Sequence, residues 1–129
     1  MKQEDKELLL RDLCARLPYG VVIQTWYGKR INIKCISVNV YTNAVELDIP
    51  EDDDAKVFID NVKPYLFPLS SMTEEQKEEF AHVIVTCGTI GSSLLTHMSV
   101  EDWLNKNHFD YRGLIPMNLA IDATGLGVY

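Results

Sequence analysis

The sequence predicts a single α+β domain: an amino-terminal helix, an antiparallel β-meander of three to four strands, and two carboxy-terminal helices packed on one face. Three observations predict it. Apolar residues recur at spacings of three and four between Leu9 and Leu17. Segments between Val21 and Ile49 alternate apolar with polar residues and are separated by turn residues. Two capping patterns, Thr73 with Gln76 and Ser99 with Asp102, open helices in the second half. The chain of 129 residues, 47% hydrophobic and 24% charged, suffices for one core spanning residues 1–129 and has the composition of an ordered globular protein.

The first helix is expected from Glu4 to Arg16 or Leu17, with Leu9, Leu10, Leu13, Cys14 and Leu17 on its apolar face and Glu7 and Arg11 opposite. Pro18 ends it and Gly20 permits the following turn. Val21 to Tyr27 reads as a strand, Gly28-Lys29 as a turn, and Arg30 to Val40 as the partner strand. Within that partner Ile31, Ile33 and Cys35 hold the apolar phase, then Ile36, Val38 and Val40 take it over, which predicts a bulge near Cys35-Ile36. Thr42-Asn43 turns into a third strand through Val45, Leu47 and Ile49. Pro50 and the carboxylates Glu51 to Asp54 form a solvated loop that lacks the alternating ligands and central glycine of a calcium-binding EF-hand. Val57 to Ile59 adds a short edge strand.

Pro64 and Pro68 make Val62 to Ser71 an extended, packed connection. The Thr73 helix should turn Phe80, Val83 and Ile84 to the core. The Ser99 helix should run to about Asn107, with Met98 packed on Trp103 as a hydrophobic staple. Gly113 permits its exit turn, and Leu119 with Ile121 suggests a closing strand.

Charge and motifs narrow the chemistry. A net charge of -7 argues against a broad grip on nucleic acid or an anionic membrane, since the only basic doublet, Lys29-Arg30, sits at a hairpin tip. Three widely separated cysteines in apolar segments, Cys14, Cys35 and Cys87, point to reduced, buried thiols and a cytosolic setting. The amino terminus is unlike a secretory signal, and no apolar run approaches the ~20 residues that span a bilayer. Thr86 to Ser93 carries two glycines and several hydroxyls but lacks the lysine and glycine spacing of a phosphate loop. No nucleophile elbow, zinc-helix motif or chelating pair is present, so no catalytic residue, metal or cofactor is expected.

Chemistry-bearing side chains concentrate instead between Trp103 and Ile115 and beside the turns. Arg16, Tyr19, Tyr65, Tyr111 and Arg112 are the candidate binding residues, because turn-borne Tyr and Arg residues often make recognition surfaces. A competing reading makes the rings loop anchors and pairs the arginines with carboxylates such as Asp12 and Asp110. An enzyme would require His108, Asp110 and Tyr111 to converge in one pocket.

Three segments, LCARLPYGV from Leu13, VKPYLFPLSSMTEE from Val62 and HFDYRGLI from His108, resemble a family of small uncharacterised proteins of Bacteroidetes and their phages. The order also matches; the chain departs at Phe67, where a basic residue is expected, and at Ile115 to Asn118, where a charged glycine-containing turn is expected. The resemblance implies a phage or prophage accessory protein in a bacterial cytoplasm and supplies no reaction or ligand. The leading expectation is therefore a non-catalytic protein that binds a host protein. The alternative is sequestration of a small anionic ligand such as a signalling nucleotide, with Arg and Tyr gripping phosphate and base. A homodimer is compatible with either.

Overall fold

The computed structural model describes residues 1–87 and 99–129. Helix α1 (Gln3–Arg16) gives way to a tight turn at Leu17–Tyr19, and Gly20 takes the left-handed conformation at φ 77°. Strands β1 (Val22–Trp26), β2 (Arg30–Asn39), β3 (Ala44–Leu47) and β4 (Lys56–Phe58) follow as an antiparallel meander. Its hinge lies where the apolar phase changes, for the β2–β3 register shifts between Cys35 and Ser37. The bulge restores only part of the expected pattern. Val38 packs on the core, while Ile36 and Val40 remain half exposed.

The sheet extends beyond the meander. Lys63–Pro68 is strand β5, antiparallel to β1, so the expectation of a mere connection there is overturned. Strands β6 (Phe109–Asp110) and β7 (Ile121–Asp122) both run parallel to β5. Among the described residues this makes one seven-stranded, mostly antiparallel sheet in place of three or four strands. Prolines are tolerated in β5 because its ladder with β1 is only two pairs long, Gln24 with Lys63 and Ile23 with Pro64. One register step further, the Val22 N–H donates to the Tyr129 hydroxyl at 3.0 Å, and that hydroxyl donates to the Tyr65 carbonyl at 2.8 Å. A side chain from the end of the sequence thus fills the gap in the ladder.

Two cores hold the layers together. Leu9 and Leu13 of α1 are buried with Val21, Ile23, Val45, Leu66 and Leu114. Each such leucine contributes about 1.5–3 kcal/mol of transfer free energy. The second core is aromatic. Trp103 stacks on Phe80 at 5.2 Å and on Phe109 at 5.7 Å, joining helix α2 (Glu74–Cys87) to helix α3 (Val100–Lys106) and β6. Thr73 and Gln76 exchange the two hydrogen bonds of a capping box, and the Ser99 hydroxyl accepts from the Asp102 amide. Phe80 and Val83 face this core, whereas Ile84 is 48% exposed.

Cysteine burial divides. Cys35 is enclosed and its thiol is pushed up to about 12 by burial, but Cys14 is exposed because Asp12 and Arg16 occupy the buried side of that turn of α1. The Cys87 thiol, most of the Thr86 to Ser93 segment weighed as a phosphate loop, and the Met98 staple fall outside the described residues. No described helix is long and apolar enough to cross a membrane.

Candidate functional site

Asp12 and Arg16 stand one turn apart on α1, on the side that carries Leu9 and Leu13 into the core, and both are fully buried. Charge at such a depth requires partners. Arg16 Nε donates to Asp12 Oδ2 at 2.8 Å and Arg16 Nη2 to the Phe109 carbonyl at 2.7 Å. Arg112 Nη1 reaches the other oxygen, Asp12 Oδ1, at 2.7 Å. The two guanidinium groups also lie by the Tyr111 ring, 4.5 Å from its centroid for Arg112 and 5.5 Å for Arg16. Tyr111 is fixed in turn, its hydroxyl donating to Asn105 Oδ1 at 3.1 Å.

The structure therefore brings together three of the five sequence candidates, Arg16, Tyr111 and Arg112, and shows what occupies them. They tie α1 to the α3–β6 corner around one carboxylate. Asp110 takes a role different from the expected arginine pair. Its two oxygens accept from the Leu114 and Ile115 amides, both at 2.9 Å, closing the turn that Gly113 makes at φ 77°. A carboxylate spent on two backbone donors is a turn clasp.

His108 lies beside this cluster in a left-handed conformation, φ 62°, that few side chains adopt. Its ring stacks on Tyr129 with centroids 3.6 Å apart. Burial, and secondarily the Arg16 charge, pull its pKa down to about 4. Tyr129 is 42% exposed, but its hydroxyl bridges β1 and β5, and burial there pushes the phenol up to about 12. His108, Asp110 and Tyr111 consequently engage three different partners and do not converge on a point where a substrate atom would sit.

The other two candidates lie elsewhere. Tyr19 is half-buried and faces the Asp102 carboxylate, its phenol raised by burial and then by that carboxylate. Tyr65 is buried in β5, where its hydroxyl accepts from Gln24 Nε2 at 3.0 Å and donates to Asn32 Oδ1 at 2.6 Å. Of these two amides, Gln24 also lines a groove that no sequence motif marks.

On the outer face of β1 the 64% exposed Trp26 is paired across the ladder with Arg30, and Gln24 is paired with both Asn32 and Lys63. A shallow groove of about 240 Å³ runs over this face, lined among others by Gln24, Trp26, Arg30, Asn61 and Lys63. Among the described residues no carboxylate lies within ion-pair distance of Arg30 or Lys63. Alternation in Gln24-Thr25-Trp26 and Arg30-Ile31-Asn32 carried the signal, but polar residues on alternate strand positions read equally well as a solvated face.

Among the described residues no group of three or more His, Cys, Asp or Glu is placed to hold a metal ion. Comparison of the chain with family models, with curated proteins and with solved structures finds no match.

Proposed function

We propose that the chain is a non-catalytic binding protein that recognises a host protein, acting as an accessory protein of a phage or mobile element in the bacterial cytoplasm. One observation carries the reading: an apolar corner at one end of the sheet. Tyr41 is 95% exposed, Phe58 65% and Val40 51%. Phe58 is set next to the β2–β3 turn because Ala44 pairs with it and the Asn43 carbonyl accepts from the Ile59 amide. Exposed rings of this kind are typical anchors of protein interfaces. The net charge of -7 favours a partner of basic character.

The test is capture from host lysate with the wild-type chain and with a Tyr41→Ala, Phe58→Ala double variant, followed by titration of the purified captured protein. A basic partner whose affinity falls at least about tenfold for the variant supports the reading. A partner bound equally by both chains, or none, overturns it. Arg16 and Arg112 are poor choices for this test, since their replacement disturbs the buried cluster.

A second reading, sequestration of a small anionic ligand such as a signalling nucleotide, is favoured by the Trp26, Arg30 and Lys63 groove. Stabilisation growing with nucleotide concentration in thermal-shift measurements supports it, and a flat response removes it.

A further inference from the structure

We propose that the outer face of β1, β2 and β5 binds one free nucleotide, its base stacked on Trp26 and its phosphate held between Arg30 and Lys63. This rests on the ligand-binding reading and gives that reading a place and a chemistry. Register fixes the arrangement. Trp26 lies opposite Arg30 on one side, Gln24 lies two residues along the same face opposite Lys63, and Asn61 completes the wall. Directly opposed residues in an antiparallel ladder hold their Cβ atoms about 5 Å apart. An aromatic face and a cation at that separation suit a ring carrying a phosphate.

Electrostatics point the same way. Arg30 and Lys63 both line this groove, and among the described residues neither has a carboxylate within ion-pair distance. Asp60 also lines it, but its carboxylate is engaged by Lys6 at 3.5 Å. Lys63 Nζ donates to Asn118 Oδ1 at 3.0 Å, which steadies the ammonium while leaving two of its protons for a ligand.

Tyr65 orients one polar group of the lining, Gln24, together with its cross-strand neighbour Asn32. Its single proton goes to Asn32 Oδ1 and its oxygen accepts from Gln24 Nε2, so the ends left over are Gln24 Oε1, an acceptor, and Asn32 Nδ2, a donor. Neighbouring donor and acceptor groups on a sheet face match the edge of a nucleobase. Tyr65 is thus a positioning residue that sets which way two amides face. The acidic balance of the whole chain disfavours a polyanionic strand.

The full chain is titrated with the four common nucleoside monophosphates, adenosine, inorganic phosphate and a short single-stranded oligonucleotide, read by calorimetry and tryptophan fluorescence. Adenosine monophosphate is expected to quench Trp26, since Trp103 is buried. Trp26→Ala loses the quench and weakens binding roughly tenfold or more. Arg30→Gln and Lys63→Gln weaken the monophosphate and leave adenosine unchanged. Tyr65→Phe levels the affinities for the four common nucleoside monophosphates without changing that for inorganic phosphate, a readout that a purely structural role would not move.

Equal affinity in wild type, Trp26→Ala and Arg30→Gln overturns this site while sparing the ligand-binding reading. Absence of binding by all four monophosphates overturns both and spares the host-protein reading. An oligonucleotide that binds more tightly than the monophosphate overturns the free nucleotide as occupant.

Discussion

Among the described residues arginine neighbours an aromatic residue in two settings, over the ring at Tyr111 and across the ladder from Trp26, with opposite consequences. At the α1–β6 corner Arg16 and Arg112 share Asp12 and flank Tyr111, and Asp12 and Arg16 have no exposure at all. On the outer sheet face Arg30 stands opposite a Trp26 that is 64% exposed, with no described carboxylate to neutralise it. Residue type is the same; desolvation differs. A buried guanidinium must be matched inside the protein or it destabilises the fold, so the first cluster is committed to holding α1 in place. An exposed one keeps its donors for something else.

The sharpest way to break the comparison is to remove the carboxylate that only the inner cluster needs. Asp12→Ala leaves Arg16 buried without its countercharge and frees Arg112, and is expected to cost about 3–5 kcal/mol of stability in denaturant unfolding. Arg112→Gln, which leaves the Arg16 pair intact, should cost clearly less. A loss under about 1 kcal/mol for Asp12→Ala would mean that water or a rearranged carboxylate reaches Arg16, and the distinction between the two regions would fail.

The next effect is pH-dependent. His108 has a folded pKa near 4 against an ordinary 6.5, so the unfolded chain binds more protons between those values. Stability tied to neutral His108 is therefore fully present above about 6.5 and is lost as pH falls towards about 4. Because the ring is only partly enclosed, the contribution is about 1–3 kcal/mol after allowance for solvent screening. His108→Asn, which tolerates the positive φ, should flatten the unfolding free energy across this window relative to wild type. Parallel pH profiles would show that water already reaches the ring.

Sequence made some of this legible and hid the rest for definable reasons. The meander, the bulge near Cys35 and both helix caps were readable because each is local: alternation, a phase change, a side chain three residues from its amide. Strand β5 was hidden because Pro64 and Pro68 have no N–H to donate to a ladder, and the two-pair ladder with β1 and the Tyr129 hydroxyl explain why that is harmless at Pro64. Asp12 as the partner of both arginines was half readable. Its i,i+4 spacing to Arg16 is in the sequence, but Arg112 lies 100 residues away. Cys14 was misplaced since an apolar stripe does not reveal that an ion pair will claim the buried side of the turn. The outer groove was invisible as a site because its residues come from three strands and the turn at Ile59–Asn61, none unusual alone.

The smallest expected effect sharpens the comparison most cleanly. Trp26→Ala and Arg30→Gln remove a ring and a charge that the described fold does not use, so each should change unfolding stability by no more than about 0.5 kcal/mol. Set beside Asp12→Ala, this separates residues retained for folding from residues free for recognition, with the same two side-chain chemistries on each side. A cost above about 2 kcal/mol for Arg30→Gln would place Arg30 in the same structural class as Arg16. In that event the groove would be a support for the β1–β2 hairpin, and any loss of ligand binding in the variant would have to be credited to the hairpin before it was credited to the guanidinium.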